Sequence, residues 1–175
     1  MIRILPILVL LSAMYACKNQ KVQDSMWKES KMEEYSDVIT PVRFRTYELK
    51  ESQMRSSLEA CGTEQQKASL IRIPDPQGNQ KEFQVWKSKV ANPALIEKYP
   101  NLQTYQGVAV ESTATRIRIE NSDNGIQAMV IDAEGTWYIE PAVDSRGSYI
   151  VYYKADLPAD SKNFWSDKVI KEYQP

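Results

Sequence analysis

Between Leu102 and Tyr153 the sequence runs LQTYQGVAV (102–110), TATRIRIE (113–120), IQAMVID (126–132), TWYIEP (136–141) and SYIVYY (148–153). Each run is rich in β-branched and aromatic residues. The gaps hold Asn121-Ser122-Asp123-Asn124-Gly125 and Ala133-Glu134-Gly135, residue types that permit tight reversals. In TATRIRIE, Ile117 and Ile119 point one way and Arg116 and Arg118 the other, as in a sheet with one wet face. The stretch predicts an antiparallel meander, and the remainder of the chain either completes that sheet or tethers it.

Upstream, Phe44–Leu49 predicts a short strand, with Phe44 and Thr46 on one face and Arg43, Arg45 and Tyr47 on the other. Lys50–Ala60 changes to helical spacing, Met54 and Leu58 falling four apart on one side. Gly62 stands where a helix stop takes a residue of positive φ. Ala68–Ile73 and Lys81–Trp86 flank Pro74-Asp75-Pro76-Gln77-Gly78-Asn79, a loop that cannot extend a ladder, so the two form a hairpin. Asn92-Pro93 opens a brief helix whose Leu95, Ile96 and Tyr99 would cover one end of the sheet. The expected fold class is mainly β: about six to eight antiparallel strands with two short helices, in a curled sheet, sandwich or open barrel.

The 175 residues carry a formal charge of −1 with both signs interspersed, so no basic face exists to neutralise nucleic-acid phosphates. Histidine is absent, which removes the usual zinc triads, the Ser-His-Asp triad and the commonest general base. No nucleophile elbow or Ser-x-x-Lys stands in a suitable context. No cofactor is expected.

Met1–Cys17 has a positive start at Arg3, an apolar run from Ile4 to Met14, and Ala16-Cys17 followed by polar residues. The apolar run is too short to span a bilayer as a mature helix. The segment resembles a bacterial lipoprotein signal, in which Cys17 would become the acylated first residue and hold the chain at a membrane surface. Tyr15 is bulkier than that pattern prefers, and the alternative is an ordinary secretory signal. The expected organisation is a leader over 1–17, a polar tether over 18–41, a β domain over 42–157 and a tail over 158–175. Within the tether Met26-Trp27 and Tyr35 could pack locally. In the tail Phe164, Trp165, Val169 and Ile170 are spaced for a short amphipathic turn.

From about Phe44 to Asp156 the chain resembles the N-terminal propeptide of secreted bacterial reprolysin-like (adamalysin-type) zinc metalloproteases. The resemblance rests on FRTYEL and the helix after it, LIRIPDPQGNQKEFQVW, NPALIEKYPNLQTYQGVAVESTATRIRI, GIQAMVID and TWYIEPAVDSRGSYIVYYKAD, in that order. It implies a domain that helps a catalytic domain fold and covers its cleft. The His-Glu-x-x-His helix of such a protease is not in this sequence. The chain is therefore expected to be a free-standing relative of the propeptide or the front piece of a longer product.

Cys61, in Ala60-Cys61-Gly62-Thr63, resembles the Cys-Gly switch that places a thiolate on a protease zinc. Those switches follow the folded core, whereas Cys61 precedes most of it, so a packed thiol is the competing reading. Asp75, Asp123, Asp132 and Asp144 lie in or beside turns, where carboxylates cap backbone amides, and their spacing is not that of a calcium loop. Trp86, Trp137, Tyr138, Tyr149, Tyr152 and Tyr153 are divided by alternation between core and surface. An exposed aromatic edge at Trp137, Tyr138, Tyr152 and Tyr153 is the expected partner surface. The expected partners are a zinc metalloprotease catalytic domain and a membrane reached by the lipid anchor, in the cell envelope. The alternative is an envelope lipoprotein whose β domain binds a peptide or glycan; an enzyme in its own right is the least expected reading, because the inventory for proton transfer and metal binding is so thin.

Overall fold

A computed structural model describes residues 25–31, 40–88, 97–142 and 147–159. Nine strands lie among them: β1 (Trp27–Ser30), β2 (Arg45–Leu49), β3 (Ser69–Pro74), β4 (Gln80–Lys87), β5 (Gln103–Ala109), β6 (Arg116–Ser122), β7 (Gly125–Asp132), β8 (Gly135–Pro141) and β9 (Ser148–Tyr153). All pair antiparallel in one curled sheet, in the order β1-β2-β9-β8-β7-β6-β5-β4-β3. The expected mainly β class holds in its curled-sheet form.

Alternation sets the inner face. Ile117 and Ile119 are buried and Arg116 and Arg118 exposed. Register then continues the inner row from strand to strand, as in Phe83↔Ala109, Tyr105↔Ile119, Ile119↔Ala128, Ala128↔Ile139 and Ile139↔Val151. These residues, with Tyr47, Ile71, Ile73, Trp137 and Tyr149, form the main core. The β6–β7 and β7–β8 reversals each end on a glycine in the left-handed region, Gly125 at φ 110° and Gly135 at φ 133°.

Helix α1 (Glu51–Glu59) caps one end of the curl and buries Met54 and Leu58 completely. At nine residues it depends on that docking. Two polar ties fix it: the Tyr149 hydroxyl donates to Glu51 Oε1 at 2.6 Å, and Arg55 donates to Asn121 Oδ1 and, at 3.1 Å, to the Ser122 carbonyl. The Tyr149 hydroxyl also accepts the Ile126 amide at 3.3 Å. Burial, then the Glu51 hydrogen bond, raises the Tyr149 pKa and keeps the phenol protonated.

Three expectations change. Trp27–Ser30, assigned to the tether over 18–41, forms an edge strand on β2, with Trp27 only 4% exposed. Its indole meets the rings of Tyr47 and Tyr149 edge-on, so one buried aromatic outweighs the polarity around it. Gly62 does not have positive φ: α1 ends at Ala60 in the right-handed region (φ −68°), and Gly62 instead approaches Lys67. A Cβ there would lie 2.5 Å from Lys67 Cβ, in a fold-back held by the Gly62 amide on the Lys67 carbonyl. Of the second helix, Asn92 to Ile96 lie outside the described residues. Tyr99, expected to cover one end of the sheet, is 45% exposed and sits beneath the Lys98 ammonium. Cys17, Tyr35, Asp144, the leader and the tail from 160 also lie outside the described residues, and no described helix is long and apolar enough to cross a membrane.

Candidate functional site

At the end of the curl opposite α1, three elements meet: the β3–β4 loop, the β7–β8 turn and the single 3₁₀ turn Lys154–Asp156 that follows β9. The loop is built around Asp75, which is 2% exposed and accepts the amides of Gln77 at 2.9 Å and Asn79 at 2.8 Å. The Asp75 and Asp132 carboxylates thus play the capping part expected of them. From that rigid loop Gln77 reaches the β7–β8 turn, its amide donating to Glu134 Oε2 at 2.8 Å. The Tyr153 hydroxyl donates to the same oxygen at 2.9 Å. Burial first, and then the Glu134 carboxylate, push the Tyr153 pKa up, so this phenol stays protonated and keeps its hydrogen bond to Glu134.

Two adjoining clefts open around these groups. One, of about 820 Å³, runs between Glu29–Lys31 and Arg43–Thr46 on one side and Pro76 and Gln77 on the other. Its neighbour, of about 540 Å³, continues past Glu134–Thr136 and shares Arg43, Gln77, Tyr153 and Asp156. Arg43 is paired with Asp156 at 2.7 Å, and Arg45 with Glu29 and the Pro76 carbonyl. The Arg43 side chain is 81% exposed but its partner Asp156 only 9%, so the pair neutralises a buried carboxylate while leaving the arginine open to solvent. The groove therefore offers a charge-neutralised row of donors and acceptors beside Phe44 and Tyr153. A smaller cleft of about 380 Å³ near α1 is lined by Arg55, Glu59, Lys87 and Tyr105, but its arginine is spent on Asn121, Ser122 and Glu51.

The four aromatics of the expected partner surface separate. Trp137 is fully buried in the main core, and Tyr152 is 2% exposed on the other face, donating to Glu140 at 2.8 Å. The expected exposure is therefore corrected for both: Trp137 falls on the inner face of β8, and β9 has cover on its two faces, which alternation cannot reveal. Tyr138 is half-buried, tilted against Tyr152 at 5.6 Å. Register places them in one outer-face row, Trp86, Gln106, Arg118, Met129, Tyr138 and Tyr152. Tyr153 faces the groove. Sequence reading missed Arg43, Arg45, Gln77 and Glu134 as a group, because they come from segments brought together only by the curl.

Cys61 is buried, its thiol donating to the Ser57 carbonyl at 3.5 Å. In that position it faces the domain interior and would need α1 to open before meeting a metal. Among the described residues no group of three or more His, Cys, Asp or Glu side chains is arranged to hold an ion.

Asp132 accepts the Glu134 and Gly135 amides, the Trp137 indole at 3.1 Å and Lys81 at 3.3 Å. Burial pushes its pKa up, but the hydrogen bonds from Trp137, Glu134 and Lys81 outweigh it and hold the carboxyl below its ordinary value. A depressed folded pKa means its contribution is complete above the unfolded value of ~3.9 and is lost as pH falls through the folded one. Urea midpoints taken downward from pH 6 should therefore fall less steeply for Asp132→Asn than for the parent, and parallel curves would remove this assignment.

Comparison with protein-family models, with curated proteins and with solved structures found no match to this chain.

Proposed function

We propose that this domain works as a propeptide-like cover, laying a folded β surface over a reprolysin-like zinc metalloprotease catalytic domain and assisting its folding or holding its cleft closed. The observation that carries the reading is that, among the described residues, most of those on which the resemblance rests belong to the strands and turns of the sheet. FRTYEL is β2, the Pro-Asp-Pro-Gln-Gly run is the capped β3–β4 loop, and the Gly125, Tyr138-Ile139-Glu140-Pro141 and Tyr149 positions knit β7, β8 and β9. A cover of this kind acts by complementary area and carries no reacting group. The groove and the outer-face row from Trp86 to Tyr138 are the two faces suited to it. Titrating the purified domain into a reprolysin-like protease assay tests the reading; unchanged turnover at micromolar domain removes inhibition.

A second reading, an envelope lipoprotein binding a peptide or glycan, is favoured by the groove lined by Phe44, Arg43 and Tyr153. Both readings place the chain at a membrane through Cys17. Cys17→Ser should move it from the membrane to the soluble fraction, and continued retention would argue against acylation. Cys61→Ala should leave inhibition within about twofold, because the thiol packs inward. A loss of tenfold or more, about 1.4 kcal/mol, would restore the zinc-switch role.

A further inference from the structure

We infer, building on the lipoprotein reading of Cys17, that the outer face of the sheet around its middle strand rests on the anionic membrane surface that holds the anchor. Register gathers the patch there. Arg116 lies opposite Ile131 and Val108, Arg118 opposite Met129 and Gln106, and Met129 opposite Tyr138, with Trp86 continuing that row on β4. Both arginines are exposed, and neither side chain has a hydrogen bond or ion pair among the described residues. The neighbouring charges on this face are answered: Arg72 by Glu82 at 2.6 Å, Lys28 by Glu48 at 3.5 Å, and Glu140 by the Tyr152 hydroxyl at 2.8 Å. Glu120, also exposed, stands one row nearer α1.

Two open guanidiniums, about 7 Å apart on one strand face, thus sit among Trp86, Met129, Ile131 and Tyr138. Ile131 is 49% exposed, and Val110, just past the end of β5, 50%. Guanidinium forks bind phosphate, and Trp and Tyr favour the headgroup level between water and acyl chain. β7 is the middle strand of the nine, and the outer side of a curled sheet is convex. A patch centred on β7 is therefore the part of that face that first meets a flat surface.

Chain length selects a lipid surface as the occupant. Because β1 begins at Trp27, only residues 18–26 separate Cys17 from the sheet, and from Cys17 to Trp27 the chain can reach at most about 36 Å. A domain of this size has a radius of gyration of about 13 Å, so the reach is no longer than the domain is wide. An acylated Cys17 holds the fold against the bilayer at an effective concentration on the order of millimolar. Two arginines and a few interfacial side chains attract a free protein to lipid only weakly, but at that concentration the same contact is well populated. A tether running on to position 41 would give the domain far more freedom, and β1 removes that freedom.

The test anchors the acylated protein in vesicles of equal parts phosphatidylcholine and phosphatidylglycerol, beside vesicles of phosphatidylcholine alone and the soluble Cys17→Ser chain. Hydroxyl-radical oxidation of Trp86, Met129 and Tyr138 is read by mass spectrometry. On the mixed vesicles it should fall about threefold or more relative to the soluble chain, while Tyr153, on the inner row, changes less. Phosphatidylcholine alone should protect less, and acylated Arg116→Gln/Arg118→Gln, altered only at exposed positions, should lose most of the protection. Equal oxidation on vesicles and in solution, protection of Tyr153 in place of the three, or protection indifferent to both the arginines and phosphatidylglycerol would each overturn the inference. Low oxidation already in the dilute soluble chain, or a fall with protein concentration without vesicles, would assign the face to another segment or a second copy and overturn it too. An acyl mass on Cys17 with an unprotected face overturns this contact alone, whereas no acyl mass overturns the lipoprotein reading and the contact with it.

Discussion

Trp137→Ala is expected to lower the unfolding free energy by about 3–5 kcal/mol. The ring is fully buried at the centre of the main core, between Val130 on β7 and Tyr153 on β9. Removing it leaves a cavity in a sheet whose curl prevents collapse around it. It also takes a donor from Asp132, a carboxylate whose side chain is only 5% exposed. Domains of this size are stable by about 5–15 kcal/mol, so the loss is a large share of the total. Trp137→Phe keeps most of the volume and should cost less. Tyr138→Ala, on the half-buried outer row, should also cost less. Denaturant melts of the three variants check the ordering, and a larger loss for Tyr138→Ala would mean that the inner face has been assigned to the wrong residues.

Gly107 is the second position where a small change should have a large effect. It lies on the inner face of β5 between Tyr105 and Ala109. A Cβ there would meet the Gln84 carbonyl oxygen at 2.5 Å, Ile117 Cγ2 at 2.9 Å and Val85 Cγ2 at 3.0 Å. The nearest of these is backbone of β4 and cannot rotate aside. Gly107→Ala should therefore destabilise by about 1–3 kcal/mol, and Gly107→Val by more, through forced separation of β4 from β5. Loss of far-UV ellipticity and a lower urea midpoint would report it. Wild-type stability in Gly107→Val would show that β4 and β5 are farther apart than this register requires.

Under the proposed reading, the groove is one of the faces a partner would meet. Arg43 and Asp156 are 113 positions apart in the chain and Gln77 and Glu134 are 57 apart, yet all four bound one continuous opening. A partner binding there would meet the exposed arginine side chain at position 43, while the buried Asp156 keeps its own partner.

Local pattern alone determined most of the meander. The alternation of Ile117 and Ile119 with Arg116 and Arg118, the glycines at 125 and 135, the proline-rich β3–β4 loop and the spacing of Met54 and Leu58 each act within a few residues, so they read the same in the chain and in the fold. Tertiary structure decided three things. It recruited Trp27 from a polar stretch, because a distant pair of tyrosines supplies the rings it packs on. It chose Trp137 over Tyr138 as the inner residue, since both are aromatic and periodicity names two faces without saying which is inside. It set β1 and β3 at the two ends of the sheet, leaving a seam and a groove, because closure depends on how far the whole sheet curls and no short stretch encodes that.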